Sequence, residues 1–412
     1  MLSGCGGAQP TIGAPGAMPQ GAATAIRAAR SENPIQHIVV MVQESRTFND
    51  LFVTTKVGDM RVGHGKHART VKVRLKEVNL SAKGGGPDGY RAYRIAYRDG
   101  HMDGFSLTGG GELPYQYVNP ADIQPYITLA ADYGLADRMF QTQGSGDFTA
   151  HQDLIRGGTA ISSKASVIDS PSNVPWGCPA PAGTRTNLIN THLAYEPLVG
   201  PFPCFTYNTL GTLFDQKSLR WKYYTPAALD RGDAGAYWNA FLAIAAVFEN
   251  KQEWDEHIST PEKNILSDIA RGKLRPMSWV IPDVVNSDRP GFSRDNGPAW
   301  VASVVNAIGE SSYWNSTAVV IIWDDWGGFY DPIAPPKLDD QGGPGFRVPM
   351  IVVSPYVPQG ELSHTVYGFG SIIRFIEDTW NLGRLGTTDE ESKSIGNMFN
   401  FKQSPRPFVP IQ

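Results

Sequence analysis

The chain has 412 residues, of which 41% are hydrophobic and 11% aromatic, and its formal net charge is −4. A charge so close to neutral leaves no electrostatic footprint for bulk nucleic-acid binding, so nucleic acid is not an expected partner. No run of about 20 apolar residues is present, which argues against a transmembrane helix.

The first feature in chain order is Leu2-Ser3-Gly4-Cys5. It resembles the lipobox of bacterial lipoproteins, in which the cysteine becomes lipidated after cleavage. Only Met1 precedes it, so the charged and apolar parts of such a leader would lie upstream of this start. Residues Gly6 to about Arg30 are rich in Gly, Ala and Pro and lack apolar periodicity. They read as a flexible tether. The expected organisation is a tether over 1–30 and one domain over 31–412. The expected location is the bacterial cell envelope or periplasm, with membrane contact only through a lipid on Cys5.

The domain opens with a strand over His37–Gln43, followed by Glu44. Val71 to Asn79 partly alternates and suggests an edge strand or hairpin arm. Ala121 to Tyr133 is helix-like, with Pro125 in its first turn and Gly134 at its end. Leu213 to Leu219 reads as a helix, and Trp221 to Thr225 as a strand. Trp238 to Phe248 reads as an apolar helix, Ile265 to Arg271 as a short helix, and Met277 to Ile281 as a strand. Ala299 to Ile308 is a helix leading into the strand Ala318–Trp323, which ends in Asp324 and Asp325. Val348 to Ser354 is a further strand. Ser371 to Trp380 is an amphipathic helix with Ser371 as its N-cap.

Continuous β-branched runs such as 37–43 and 318–323 suit strands buried on both faces. Their alternation with helices predicts an α/β fold: a three-layer α/β/α sandwich with a mainly parallel central sheet. Residues of about 55–120 and 160–210 read as loop-rich insertions over the carboxyl edge of that sheet. Ligands bind at the carboxyl ends of the strands in such folds. Glu44, Asp324 and Asp325 therefore mark a candidate site, since buried like charges need a compensating cation, base or arginine. Cys178 and Cys204 lie in Pro/Gly-rich segments, and an even pair in an exported protein favours a disulfide over two free thiols. Closing that loop would contribute roughly 3 kcal/mol in the chain-entropy model.

Several motifs resemble one family. Gln43-Glu44-Ser45-Arg46-Thr47-Phe48-Asn49-Asp50, His101-Met102-Asp103-Gly104-Phe105, Trp323-Asp324-Asp325-Trp326-Gly327-Gly328-Phe329-Tyr330-Asp331, Gly345-Phe346-Arg347-Val348-Pro349 with Ser354-Pro355-Tyr356, and Ser371 to Glu377 are similar to those of the bacterial phosphoesterases. That family is of the phospholipase C and acid phosphatase type and belongs to the alkaline-phosphatase superfamily. The resemblance covers roughly residues 34–400. It implies an alkaline-phosphatase-like fold and hydrolysis of phosphate esters, with a phosphoester or phospholipid head group as substrate.

The sequence departs from the family's pattern at the chemistry. Ser45 stands where the family has Asn. Asp147, in Ser145-Gly146-Asp147-Phe148-Thr149-Ala150-His151-Gln152, stands where it has a Ser or Thr nucleophile. Arg289 in Ser287-Asp288-Arg289-Pro290 and Pro332 after Asp331 each replace a His, and an upstream His falls near Asp88. One reading is a working phosphoesterase with a shifted catalytic set. Asp147, or the hydroxyl of Thr149 or Ser145, would attack phosphorus, and Arg289 would pair with phosphate oxygens. Glu44, Asp324 and Asp325 would hold a divalent cation. With Asp147 they form an oxygen-only set that favours Mg²⁺ or Ca²⁺ over Zn²⁺. Ser45, His151, Asp288 and Asp331 are auxiliary candidates. The other reading is a catalytically inactive, lipid-anchored surface protein that binds phosphoesters or partners.

Overall fold

The structure is a computed structural model that describes Met1 and residues 33–63, 65–227, 237–292, 294–336, 339 and 342–412. Cys5 and the tether expected up to residue 30 lie outside the described residues. The chain divides between Pro34 and Ile35.

Eight strands build the central sheet: β1 (His37–Gln43), β2 (Gly134–Ala136), β3 (Trp221–Tyr224), β4 (Ile258–Ser259), β5 (Met277–Val280), β6 (Thr317–Trp323), β7 (Met350–Val353) and β8 (Glu361–Ser363). Their spatial order is β4-β3-β5-β1-β6-β7-β2-β8. All neighbouring pairs are parallel except those that β7 makes with β6 and β2. All seven residues of β6 are buried, as expected for a β-branched strand covered on both faces.

Helices flank both faces, among them α1 (Phe48–Leu51), α2 (Gln124–Asp132), α3 (Asp147–Arg156), α4 (Gly297–Gly309) and α5 (Phe369–Trp380). Register settles which face two of them cover. Trp279 aligns with Val40 and Val40 with Val320, so these side chains share a face. On that face Trp279 Nε1 donates to the Leu154 carbonyl of α3 at 3.4 Å. Trp323 points to the opposite face, where its ring meets Tyr126 of α2 edge-on at 4.9 Å. The α/β/α layering follows from these contacts.

The register of β1 on β6 also builds the site. His37 aligns with Thr317 and Gln43 with Trp323, so the next residues, Glu44 and Asp324, emerge side by side. The Asp324 N–H donates to the Gln43 carbonyl at 3.0 Å and continues the ladder one step beyond the strands.

Three sequence-based expectations need correction. Trp238–Phe248 is not one helix. It splits into a 3-10 turn (Ala240–Ala243) and a short α-helix (Ala245–Phe248) around an extended Ile244. There the backbone exchanges hydrogen bonds with Phe205 at 2.7 and 2.9 Å, a tertiary pairing that overrides local helical preference. Ser371 is not an N-cap, because α5 starts at Phe369 with Gly368 as its cap. The Ser371 hydroxyl instead accepts from the Gly368 N–H at 3.2 Å. The insertions are more regular than expected. The hairpin arm expected from Val71 is present, since residues 69–74 pair with 57–62, and four strands between residues 160 and 196 form an antiparallel sheet where loops were expected. Cys178 and Cys204 form the expected disulfide. No helix among the described residues is long and apolar enough to cross a membrane.

Candidate active site

Five carboxylates, one imidazole and one guanidinium meet at the carboxyl ends of β1 and β6. Ser45, just after Glu44, has φ +61°, a left-handed conformation uncommon for a non-glycine residue and frequent at functional turns. Its N–H donates to Asp324 Oδ1 at 2.9 Å. After β6 the chain turns at Gly327, with φ +57°, where a Cβ would stand 2.1 Å from the Ser45 carbonyl oxygen. Only glycine permits that approach. The Gly327 N–H in turn donates to Asp325 Oδ1 at 2.7 Å, so the turn aims the acid.

Helix α3 supplies two groups from one face. Asp147 is in its first turn and His151 one turn further on. His151 Nε2 lies 3.1 Å from Glu44 Oε1 and 3.5 Å from Asp324 Oδ2. Asp88 arrives on the loop Gly84-Gly85-Gly86, which lies against the Gly327–Gly328 turn. Its carbonyl accepts from Trp326 Nε1 at 2.7 Å. The Arg289 NH1 donates to Asp147 Oδ1 at 2.6 Å and to Ser45 Oγ at 3.2 Å.

These groups sort into two clusters whose ligand atoms lie within 4.8 Å of one another: Glu44, His151 and Asp324, and Asp88, Asp147 and Asp325. In the first, all three side chains are buried. Glu44 Oε2 and Asp324 Oδ2 have no hydrogen-bond partner. Burial pushes both carboxyls well above the usual range, helped by Asp147 at Glu44 and by Glu44 at Asp324. Burial lowers the His151 imidazole, against the pull of Asp324 and Asp147. A neutral imidazole beside two orphaned carboxylate oxygens fits a divalent cation.

In the second cluster, burial and then Asp324 push the Asp325 carboxyl well up, with Asp88 and Asp147 adding to it. Burial and the neighbouring Asp147 raise Asp88 to about 6, with Arg289 working against them. Asp147 goes the other way. Burial alone would raise it, but the Arg289 guanidinium overrides burial and holds it below the usual range. Asp147 is thus an ionised carboxylate in a nearly closed site, with its charge met by arginine.

The structure therefore brings together Glu44, Ser45, Asp147, His151, Arg289, Asp324 and Asp325. It places the other candidates elsewhere. Thr149 is buried, bonded to the Ser145 hydroxyl and donating to the Gly146 carbonyl at 3.3 Å, with Ser145 also held by the Asp169 N–H at 2.9 Å. Asp288 points back into the core, where Tyr126 and Trp323 both donate to its Oδ2 at 2.9 Å. Asp331 is clamped by Arg347 at 2.9 and 3.0 Å. The sequence places Asp88 near an upstream His of the family pattern without giving it a role at the site. The triple glycine before it and Trp326 opposite are the signals that point to it.

The sequence profile of the Phosphoesterase family matches residues 35–383. The chain is 23% identical over 251 residues to "Phospholipase C B" of Mycobacterium tuberculosis (strain ATCC 25618 / H37Rv), covering 52% of this chain and 47% of that protein. It is 24% identical over 439 residues to "Non-hemolytic phospholipase C" of Pseudomonas aeruginosa, covering 91% and 59%. It thus spans about half the length of the curated relatives it matches. A solved structure described as a protein in the alkaline phosphatase superfamily, from Vibrio parahaemolyticus, aligns with a TM-score of 0.39 at 11% identity over 88% of this chain and 72% of that one. With the family profile spanning most of its length, this chain belongs to the Phosphoesterase family.

Proposed function

We propose that this chain is a phosphoester hydrolase of the phospholipase C or acid phosphatase type, with Asp147 as nucleophile and Arg289 as the phosphoryl clamp. The observation that carries this reading is the Asp147–Arg289 pair, 2.6 Å apart, in which Asp147 stands with Asp88 and Asp325. An Asp147 oxygen forms a bond to phosphorus as the bond from phosphorus to the leaving oxygen breaks, giving an aspartyl phosphate. The leaving oxygen takes a proton from Asp88, the half-buried carboxyl raised to about 6. Water then attacks phosphorus and gives a proton back to the Asp88 carboxylate as the bond from phosphorus to the Asp147 oxygen breaks, which releases the phosphate product and restores both side chains. Arg289 shifts its pairing from Asp147 to the phosphoryl oxygens as charge moves onto them.

Glu44, His151 and Asp324 would hold a divalent cation, which when bound supplies charge compensation and polarises a phosphoryl oxygen. Oxygen donors alone would favour Mg²⁺ or Ca²⁺. With the His151 nitrogen in the set, Mn²⁺ or Zn²⁺ fits this cluster better. The trio of Asp88, Asp147 and Asp325 has the oxygen donors that Mg²⁺ or Ca²⁺ takes, but the pairing of Asp147 with Arg289 and the raised Asp88 carboxyl commit it to the reaction rather than to a second cation. The substrate would be a phospholipid head group or another phosphoester. The Cys178–Cys204 disulfide supports export to an oxidising compartment, and anchoring through Cys5 rests on the sequence alone.

The test is hydrolysis of p-nitrophenyl phosphate, bis(p-nitrophenyl) phosphate and phosphatidylcholine, each with Mn²⁺, Zn²⁺, Mg²⁺ and Ca²⁺. Turnover that is lost in Glu44→Gln and in Asp324→Asn supports the reading. Inertness toward all three substrates under every metal leaves a binding protein instead.

A further inference from the structure

At the opposite edge of the sheet, the helices Leu210–Gln216 and Lys251–His257 meet at the start of β3 around a histidine that the proposed reaction does not use. Trp221 aligns with Met277, and Met277 with Ile38. Trp221 is therefore level with the amino end of β1, on the order of 20 Å from Glu44 at about 3.3 Å per strand residue.

His257 is 4% exposed. Its ring lies flat on the Trp221 indole, with centroids 3.9 Å apart and planes 1° from parallel. Its Nδ1 is 3.1 Å from the Trp221 carbonyl oxygen. A carbonyl only accepts, so Nδ1 carries the hydrogen, and Nε2 offers a lone pair whenever no second proton sits there. That lone pair faces two more acceptors, Glu253 Oε2 at 3.3 Å and Asp215 Oδ1 at 3.8 Å. Asp215 Oδ1 is itself fixed by the Trp221 Nε1–H at 2.9 Å. Among the described residues, no lysine or arginine forms an ion pair with either carboxylate.

With Nε2 unprotonated, three acceptor atoms thus converge, and the donor that reaches them is the Trp221 Nε1–H on Asp215 Oδ1. One nitrogen and two carboxylate oxygens suit a borderline divalent cation. Ligands about 2.0–2.2 Å from a tetrahedral Zn²⁺ stand about 3.3 Å from one another, and the three atoms here lie within 4.8 Å of one another. The Nδ1–carbonyl contact is the outer-shell bond that orients a ligating imidazole.

We propose that His257, Glu253 and Asp215 form a Zn²⁺ site, with solvent as the fourth ligand, that ties the two helices to the edge of the sheet. This inference stands apart from the catalytic reading. Its rival is a proton on Nε2, which would make the trio an ordinary ion pair.

The test is Zn²⁺ titration of the metal-stripped full chain against a chromophoric chelator, for wild type, Glu253→Gln, Asp215→Asn and Glu44→Gln. The Glu253 side chain is 37% exposed, so Glu253→Gln keeps the fold, and an unchanged melting temperature in chelator verifies this. The expected result is one Zn²⁺ equivalent weakened at least about tenfold in Glu253→Gln and Asp215→Asn, as for lost ligand support elsewhere. Glu44→Gln keeps that equivalent. Wild-type stoichiometry and affinity in both Glu253→Gln and Asp215→Asn would overturn the site and leave the protonated ion pair.

Discussion

Asp147 and Arg289 face each other across 2.6 Å, and the proposed chemistry makes opposite demands on them. Asp147→Asn removes the attacking oxygen's charge, so turnover should fall to background while the melting temperature changes little. Arg289→Lys keeps the charge and can replace the single nitrogen that donates to both Asp147 and Ser45, but it loses the planar fork that would grip two phosphoryl oxygens. A charged hydrogen bond lost there corresponds to about 1.5–3 kcal/mol, so kcat/KM should drop by about 10- to 100-fold in steady-state assays. Unchanged kinetics in Arg289→Lys would leave the arginine as a counter-ion alone. At this scale the sequence exposes Glu44, Asp324 and Asp325 because a carboxylate after a buried strand is unusual. It does not reveal which neighbours face the site. Asp288 adjoins Arg289 in the chain, yet its side chain turns back to Tyr126 and Trp323, and only the folded path of that loop decides the direction. Asp88 is brought in by a glycine loop whose partner, the Gly327–Gly328 turn, is distant in sequence.

At the scale of elements, the site depends on two strands held in register. Ile321 is fully buried in β6 opposite Met41, and Ile321→Ala should cost about 2–5 kcal/mol, read as a lower urea midpoint with an unchanged slope. Gly327→Ala is expected to act differently. Left-handed backbone costs a non-glycine residue about 1–2 kcal/mol, and the added Cβ collides with the Ser45 carbonyl. Activity should therefore fall much further than stability, because the turn that displaces is the one aiming Glu44 and Asp325. The strands were legible in sequence because β-branched runs leave few alternatives. The helix expected over 238–248 failed for the converse reason, since its apolar composition carries no trace of the backbone pairing with Phe205.

For the molecule as a whole, buried charge sets the response to pH and to metal. Burial, only partly offset by Arg46, raises Asp288 from its ordinary 3.8 to about 7. The folded state therefore holds its proton more tightly than the unfolded chain. The stability this contributes is complete below about pH 4 and is lost as pH rises through about 7. Asp288→Asn should flatten the fall in unfolding free energy between those pH values, and denaturant titrations across the range check it. The acids around Glu44 and Asp324 should make the fold metal-responsive. A cation at about 100 times its Kd contributes about 2.7 kcal/mol, so chelator should lower the melting temperature by a few degrees, and less so in Glu44→Gln. The most direct test of the central claim is to acid-quench the full chain during turnover and map any phosphorylated peptide by mass spectrometry. The account predicts a hydroxylamine-labile phosphate on Asp147. A phosphate on Ser45, Ser145 or Thr149, or steady turnover with no covalent phosphate at all, would contradict it.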